Sequence, residues 1–223
     1  MSDYLKWDEK IIHDFSDATI NPLYNDGYLF TRIGKGVMQQ TRSVRVDLSK
    51  FELSSENRRI FRKTDGLTFD VHTIPYAPYH WSMAKMAKDF YDNKFGEGTF
   101  TANKMKELMT DPDQTNFNRV FIYTFGNTLI GYCIALETDE ILHYCYPFYD
   151  LQTSTKDTGL GMMLRAIITA KKNNKKYAYL GSFQRPTDTY KLQFAGVEWW
   201  DGKEWKNDIE ELKKEYADIR KFN

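Results

Sequence analysis

Residues 120–149 read VFIYTFGNTLIGYCIALETDEILHYCYPFY, and this stretch decides the fold. Val120–Thr124 and Leu129–Leu136 are apolar runs joined across Gly126-Asn127, a pair suited to a hairpin turn. Ile141–Tyr146 predicts a third strand. A polar loop follows. Gly159-Leu160-Gly161 then opens a helix with apolar positions Met163, Leu164, Ile167, Ile168 and Ala170. Tyr177–Leu180 predicts a short buried strand that ends at Gly181. A meander feeding a strand–loop–helix–strand unit implies an α+β fold, with a mixed sheet flanked by helices.

Upstream, Asn25-Asp26-Gly27 marks a turn, with strands expected at Tyr28–Ile33 and Ser43–Val46. Ile11, Ile12 and Phe15 suggest a short amphipathic helix near the start. Ser54 is a natural N-cap for a helix through Arg58, Arg59, Ile60 and Arg62, with Glu56 in the first turn where an acid suits the dipole. Leu67–Ile74 reads as a strand. Helices are expected near Trp81–Lys94 and after Thr101, the second ending before Pro112. Downstream come an expected helix over Thr187–Phe194, a hairpin over Trp199–Trp205 and a charged helix over Asn207–Lys221 with a Glu210–Lys214 pair. The expected organisation is a small N-terminal subdomain, 1–66, and a larger domain, 67–223.

The 223 residues are 41% apolar and 28% charged, which excludes a mostly disordered chain. Lys+Arg and Asp+Glu are both 31, which disfavours nucleic-acid binding through global charge but leaves room for a local basic patch. With only Cys133 and Cys145, a disulfide scaffold and a four-cysteine metal site are excluded. His13, His72, His80 and His143 show no ligand spacing, so no metal is expected. No signal peptide or ~18-residue apolar span is visible, so the expectation is a cytoplasmic protein that does not enter membranes.

The loop Lys156-Asp157-Thr158-Gly159-Leu160-Gly161 opens a helix directly after a strand. Glycines there let a backbone approach a ligand, and the free N–H groups of a helix start can hold a phosphate. The loop resembles the pyrophosphate loop of the GNAT acyltransferases, with Lys156 where Gln or Arg is usual. A plain turn is the competing reading.

A second resemblance covers roughly Leu23 to Trp205. It rests on Gly27-Tyr28-Leu29, Arg32-Ile33-Gly34, Arg45-Val46-Asp47, Asn57-Arg58-Arg59-Ile60, Tyr146-Pro147-Phe148-Tyr149-Asp150, Thr158-Gly159-Leu160-Gly161, Lys176-Tyr177-Ala178-Tyr179-Leu180-Gly181, Tyr190-Lys191, Phe194 and Glu198. In order and spacing these look like the arginyl-tRNA–protein transferases, including the bacterial leucyl transferases of that architecture. The resemblance implies a GNAT-like fold that uses aminoacyl-tRNA as donor and a protein or peptide N-terminus as acceptor, as in N-degron tagging, with no cofactor and no metal. The family's N-terminal cysteine cluster has no counterpart here, so iron–sulfur or haem regulation is not implied. Its Tyr-x-x-Tyr helix has a loose counterpart in Phe90-Tyr91 and Phe95.

Within that resemblance the candidate catalytic residues are Asp150, Tyr190, Lys191 and Glu198. Asp150 is a base or amine holder, against a loop N-cap. Lys191 holds a phosphate or carboxylate, against an exposed helix lysine. Glu198 matches a late acid, against a strand-end salt bridge. Candidate binding residues are Arg58, Arg59, Tyr146, Tyr149, Lys156, Gly159, Gly161, Arg165, Tyr179 and Gly181. Lys156, Arg165, Lys171, Lys172, Lys175 and Lys176 are a candidate acceptor-stem surface, against a solvated helix end. Arg58, Arg59 and Arg62 form a second cluster, against ion pairing with Glu52 or Glu56. Two other functions stay open: an acyl-CoA N-acyltransferase, and a binder of tRNA or peptide N-termini without transfer activity.

Overall fold

The computed structural model describes residues 4–219. The elements, in order, are β1 (Asp8–Ile11), α1 (Asp17–Asn25), β2 (Tyr28–Phe30), β3 (Val37–Gln40), β4 (Ser43–Asp47), α2 (Ser55–Lys63) and β5 (Leu67–Thr73). Then follow α3 (Trp81–Phe95), α4 (Ala102–Thr110), β6 (Arg119–Phe125), β7 (Thr128–Glu137), β8 (Ile141–Tyr149) and α5 (Thr158–Lys172). The chain closes with β9 (Tyr177–Ser182), a 3-10 helix over Pro186–Leu192, β10 (Val197–Trp200), β11 (Trp205–Lys206) and α6 (Ile209–Ile219).

Eight strands form one sheet in the order β11-β10-β4-β9-β8-β7-β6-β5, and β1-β3-β2 form a small second sheet. Every pair in the large sheet is antiparallel except β8 with β9. That parallel pair needs a crossover, which α5 supplies. Alternate side chains divide the interior in two. Tyr123, Cys133, Ala135, Leu142 and Ala178 pack against α2 and α5. Val120, Tyr132, Ile134, Ile141 and Tyr179 pack against α1, α3 and α4. Helix α2 starts as expected: Ser54 accepts the Asn57 N–H, and the Asn57 side chain returns the bond.

The helix expected around Ile11, Ile12 and Phe15 is absent. Asp8–Ile11 pairs residue for residue with β3, and the helix begins only after Asp14, whose carboxylate accepts the Ser16 N–H at 2.9 Å. Strand pairing overrides a weak helical pattern there. The helix expected over Thr187–Phe194 is a 3-10 segment with Pro186 at its first turn. Helix α6 starts at Ile209, Glu210 pairs with Lys213 rather than Lys214, and the expected end at Lys221 lies outside the described residues. The expected subdomain boundary falls between α2 and β5, while β4, from before it, pairs inside the large sheet.

One feature of the sheet positions the site. β8 and β9 pair only over Ile141–His143 and Tyr177–Tyr179, yet β8 continues to Tyr149 and β9 to Ser182. Each strand is bulged just past the last paired rung. On β8, Cys145 is the extra residue between Tyr144, opposite Ala135, and Tyr146, opposite Ile134. On β9 the register with β4 shifts between Tyr179 and Ser182, and Gly181 there has φ +84°. A bulge bends and twists its strand. Two at one level part the strands into a wedge, and α5 begins beyond the end of β8.

Candidate functional site

The wedge gathers side chains from four elements. β8 contributes Tyr146 and Tyr149, and Asp150 follows directly. β9 contributes Gly181 and Ser182. The start of α5 contributes Gly159, against the Tyr149 hydroxyl, and the 3-10 helix contributes Tyr190 and Lys191. Tyr190 is 40% exposed. Burial and then the neighbouring Tyr190 push the Tyr149 hydroxyl up from its ordinary pKa.

Lys191 is buried, and its ammonium donates to the Ser182 carbonyl at 2.6 Å and lies 3.6 Å from Asp188 Oδ1. Burial lowers its pKa, and Asp188 opposes the shift. This is a fixed donor beside Gly181, where a Cβ would stand 3.7 Å from Nζ. The same ammonium acts on His143, at the last paired rung. Burial first and Lys191 second depress that imidazole to about 3, and its Nδ1 pairs with the Tyr24 hydroxyl at 2.9 Å.

The glycine loop is arranged for packing. A Cβ on Gly159 would stand 2.9 Å from the Tyr149 hydroxyl, and one on Gly161 would stand 2.6 Å from Thr64 Cγ2. The space a phosphate would need above these glycines holds Tyr149 and Thr64. The Asp157 carboxylate also sits at the helix start, held by Arg59 at 3.1 Å. A fixed carboxylate there opposes the helix dipole's attraction for a second anion.

The structure does not bring all expected residues to the wedge. Arg165 lies about two helical turns beyond the start of α5. It is buried, with Nε on the Leu67 carbonyl at 2.5 Å, Nη1 on Thr64 Oγ1 at 2.7 Å and Nη2 on the Thr64 carbonyl at 2.5 Å. It closes the end of α2 and holds the start of β5. Glu198 is on β10, two strand spacings or about 10 Å from β9. It pairs with Arg45 at 2.9 Å and Lys50 at 3.2 Å. Tyr179 is fully buried, and its hydroxyl accepts from Arg45 at 3.3 Å. Asp150 takes the loop-capping arrangement: its carboxylate accepts from the Gln152 N–H at 2.8 Å and the Thr153 hydroxyl at 3.1 Å.

The basic run from the last turn of α5 onward holds loops and a strand end. Lys171 donates to the Phe51 carbonyl, Lys175 to the Thr138 carbonyl and Glu137, and Lys176 pairs with Glu140. Arg59 bridges Glu56 and Asp157, and Arg58 donates to the Leu53 carbonyl and Ser55. Lys156 is exposed, beside Asp157 and near Glu56 of α2.

Two residues at the wedge escaped the sequence reading. Arg32 lies 4.6 Å over the Phe100 ring and 5.8 Å from the Tyr146 ring, and donates to the Thr99 carbonyl at 2.6 Å. Gln184 lies two residues past the end of β9. Chemistry-bearing residues gather past strand ends in sheets with crossover helices, a signal that could have flagged Gln184.

A family model described as "Arginine-tRNA-protein transferase, C terminus" matches residues 76–201, more than half of the chain. No curated protein matches the sequence. Among solved structures, FemX superposes with a TM-score of 0.53 at 8% identity, covering 90% of this chain and 70% of FemX. L-PGS from Bacillus licheniformis gives 0.48 at 12% identity, covering 80% of this chain and 58% of that one. A GCN5-related N-acetyltransferase from Kribbella flavida gives 0.39 at 10% identity, covering 71% and 53%. The fold is shared with FemX. The chain spans little more than half the length of L-PGS. No described helix is long and apolar enough to cross a membrane.

Proposed function

The chain belongs to the arginine-tRNA-protein transferase family through its C-terminal region, a family of acyltransferases, and from that premise we propose that it moves an aminoacyl group, arginyl or leucyl, from tRNA to the N-terminal amine of a protein or peptide. The product would be a tagged N-terminus of the N-degron kind, made in the cytoplasm where charged tRNA is found. The observation that carries the reading is the bulged wedge with buried Lys191 at its β9 side.

The chemistry asks little of the protein. An aminoacyl ester is already activated, and an N-terminal amine has a pKa near 7.7–8.0, so much of it is neutral at pH 7–8. Positioning can then supply effective molarities of ~10⁵ M or more. In this reading the ester enters between β8 and β9. Lys191 Nζ is a ready donor for the oxyanion that forms on the ester carbonyl, and its burial strengthens that interaction. Tyr190 and Tyr149 close the wedge against water, and Tyr146 with Arg32 borders the acceptor side. Lys156, exposed just before α5, is the cation this reading assigns to a tRNA phosphate.

An acyl-CoA donor is disfavoured on physical grounds. Its pyrophosphate would need the α5 start, where Tyr149 covers Gly159 and the Asp157 carboxylate is fixed.

Intact-mass analysis tests the reading. A peptide beginning with Asp or Glu is incubated with the protein and a total charged-tRNA pool, with acetyl-CoA in a parallel tube. Added aminoacyl mass, abolished by RNase, is the expected result and names the amino acid. An RNA-independent acetyl mass, or tRNA and peptide binding with no mass change, would refute it.

A further inference from the structure

The segment before β1 lies beside the wedge and is held there through its main chain. The Leu5 N–H donates to Gln184 Oε1 at 3.0 Å, and the Leu5 carbonyl accepts from Gln184 Nε2 at 3.1 Å and from the Thr41 hydroxyl at 2.7 Å. Gln184 Nε2 also donates to Thr41 Oγ1 at 2.6 Å. One side-chain amide thus reads both polar groups of a single residue, whatever that residue's side chain. The reader is fixed in turn, because the Gln184 N–H donates to buried Asp188 at 2.9 Å.

The segment has a direction. Trp7 donates its N–H to the Gln40 carbonyl at 2.9 Å. Leu5 sits on Gln184, past the end of β9, and the Tyr4 hydroxyl reaches Ser182 Oγ at 3.4 Å, on β9 itself. Tyr4 is also near enough to act electrostatically on Lys191 and Tyr146, on the two sides of the wedge. Read toward lower residue numbers, the segment therefore advances toward the wedge. A peptide bound in the same polarity would aim its N-terminal amine at the place where the ester is proposed to lie. The side chains of the segment are partly open to solvent, with Tyr4 53% and Trp7 39% exposed.

We propose that Gln184 and Thr41 form a main-chain clamp for the acceptor polypeptide, and that residues 4–7 occupy that clamp here as a displaceable strap. The proposal rests on the aminoacyl-transfer reading for the acceptor's identity. Main-chain hydrogen bonds of this kind give affinity without sequence preference, as in other modes of extended-peptide capture. A tethered occupant weakens the apparent affinity for the acceptor by the fraction of molecules in which the strap is closed.

The test uses the full chain and a hexapeptide with a free N-terminal Asp and a fluorophore on a C-terminal lysine, read by fluorescence anisotropy. Leu5→Pro removes the N–H that Gln184 accepts and leaves the clamp intact, so peptide binding should tighten about three- to tenfold. Gln184→Ala removes the clamp and should weaken binding about tenfold despite freeing the strap, with Thr41→Val moving the same way. A merely structural role for residues 4–7 would not move the two sets of variants in opposite directions. Unchanged or weaker binding by the Leu5→Pro protein, or unchanged binding by both clamp variants, overturns the proposal. The same peptide is scored for added aminoacyl mass. Transfer without the opposed binding shifts overturns the clamp alone, whereas opposed shifts without transfer support the clamp and remove the transferase reading.

Discussion

Replacing Arg165 with Met separates a structural guanidinium from a phosphate-binding one. The side chain makes four hydrogen bonds, to Leu67 O, Thr64 Oγ1, Thr64 O and Gly161 O. Three of these are recoverable. Thr64 Oγ1 still donates to the Ile60 carbonyl, Gly161 O keeps its helical partner, and the Thr64 carbonyl keeps the Leu67 N–H at 3.0 Å. The Leu67 carbonyl is left as a buried orphan. At about 1–3 kcal/mol for a lost partner, the gross cost is roughly 1–3 kcal/mol. Part returns because Met no longer buries a cation, whose burial already lowers the Arg165 pKa. The expected net loss is about 1.5 kcal/mol. With a urea m-value of ~2–3 kcal/mol/M for a chain of this size, the midpoint should fall by about 0.5 M at unchanged slope. The assay pairs urea unfolding followed by tryptophan fluorescence with filter binding of tRNA under native conditions, where affinity should stay within about twofold. An unshifted midpoint together with a tenfold loss of tRNA affinity would refute the reasoning and return Arg165 to the phosphate-binding role.

Glu198→Gln leaves Arg45, which is buried, without its carboxylate. The melting transition should fall by an amount matching about 3 kcal/mol in calorimetry, with the transfer rate of the folded protein unchanged. Gly161→Ala drives a methyl to within 2.6 Å of Thr64 Cγ2, so urea unfolding should show a loss of about 1–3 kcal/mol. For pH, His143 is held neutral by burial, with its pKa depressed to about 3 against an ordinary 6.5. The unfolded chain therefore binds the proton first, and the stability that neutral His143 contributes is complete above pH 6.5 and lost as pH falls, at up to ~1.4 kcal/mol per unit down to about 3. Denaturation midpoints across pH 4–8 should show that slope, and His143→Gln should flatten it.

The strands of the meander and α5 were legible because their signals are local and strong: apolar runs, a Gly126-Asn127 turn, a helical stripe. The cap at Ser54 was legible for the same reason. The β1–β3 pairing was not, since Asp8–Ile11 carries no alternation of its own and every one of its residues is exposed. Only the partner strand, distant in sequence, makes it a strand. The place of β4 inside the large sheet is likewise a long-range fact, set by its pairing with β9 and β10.

The site divides along the same line. The family resemblance named Tyr149, Lys156, Gly159, Gly181, Tyr190 and Lys191 together, and in the fold they lie at or past strand ends on either side of one crossover. It could not tell which charges remain available. Arg165, Lys175 and Glu198 look like equal candidates in a string of letters, and only the fold shows that carbonyls or opposite charges hold each one. The wedge itself was invisible, because a bulge is one residue of register and leaves no compositional mark. That one residue matters most at Cys145. Were Cys145 paired in regular register, Tyr144 and Tyr146, two residues apart, would share one face of β8; bulged out, it leaves Tyr144 packed under α5 and Tyr146 on the opposite face, where Arg32 and Phe100 meet it. Deleting Cys145 makes Tyr144 and Tyr146 neighbours, which a regular strand already points to opposite faces, so Tyr146 should keep its place by Arg32 while β8 loses its bend and can approach β9 beyond His143. On this argument the opening is a property of register, set by one unpaired residue on β8 and one on β9.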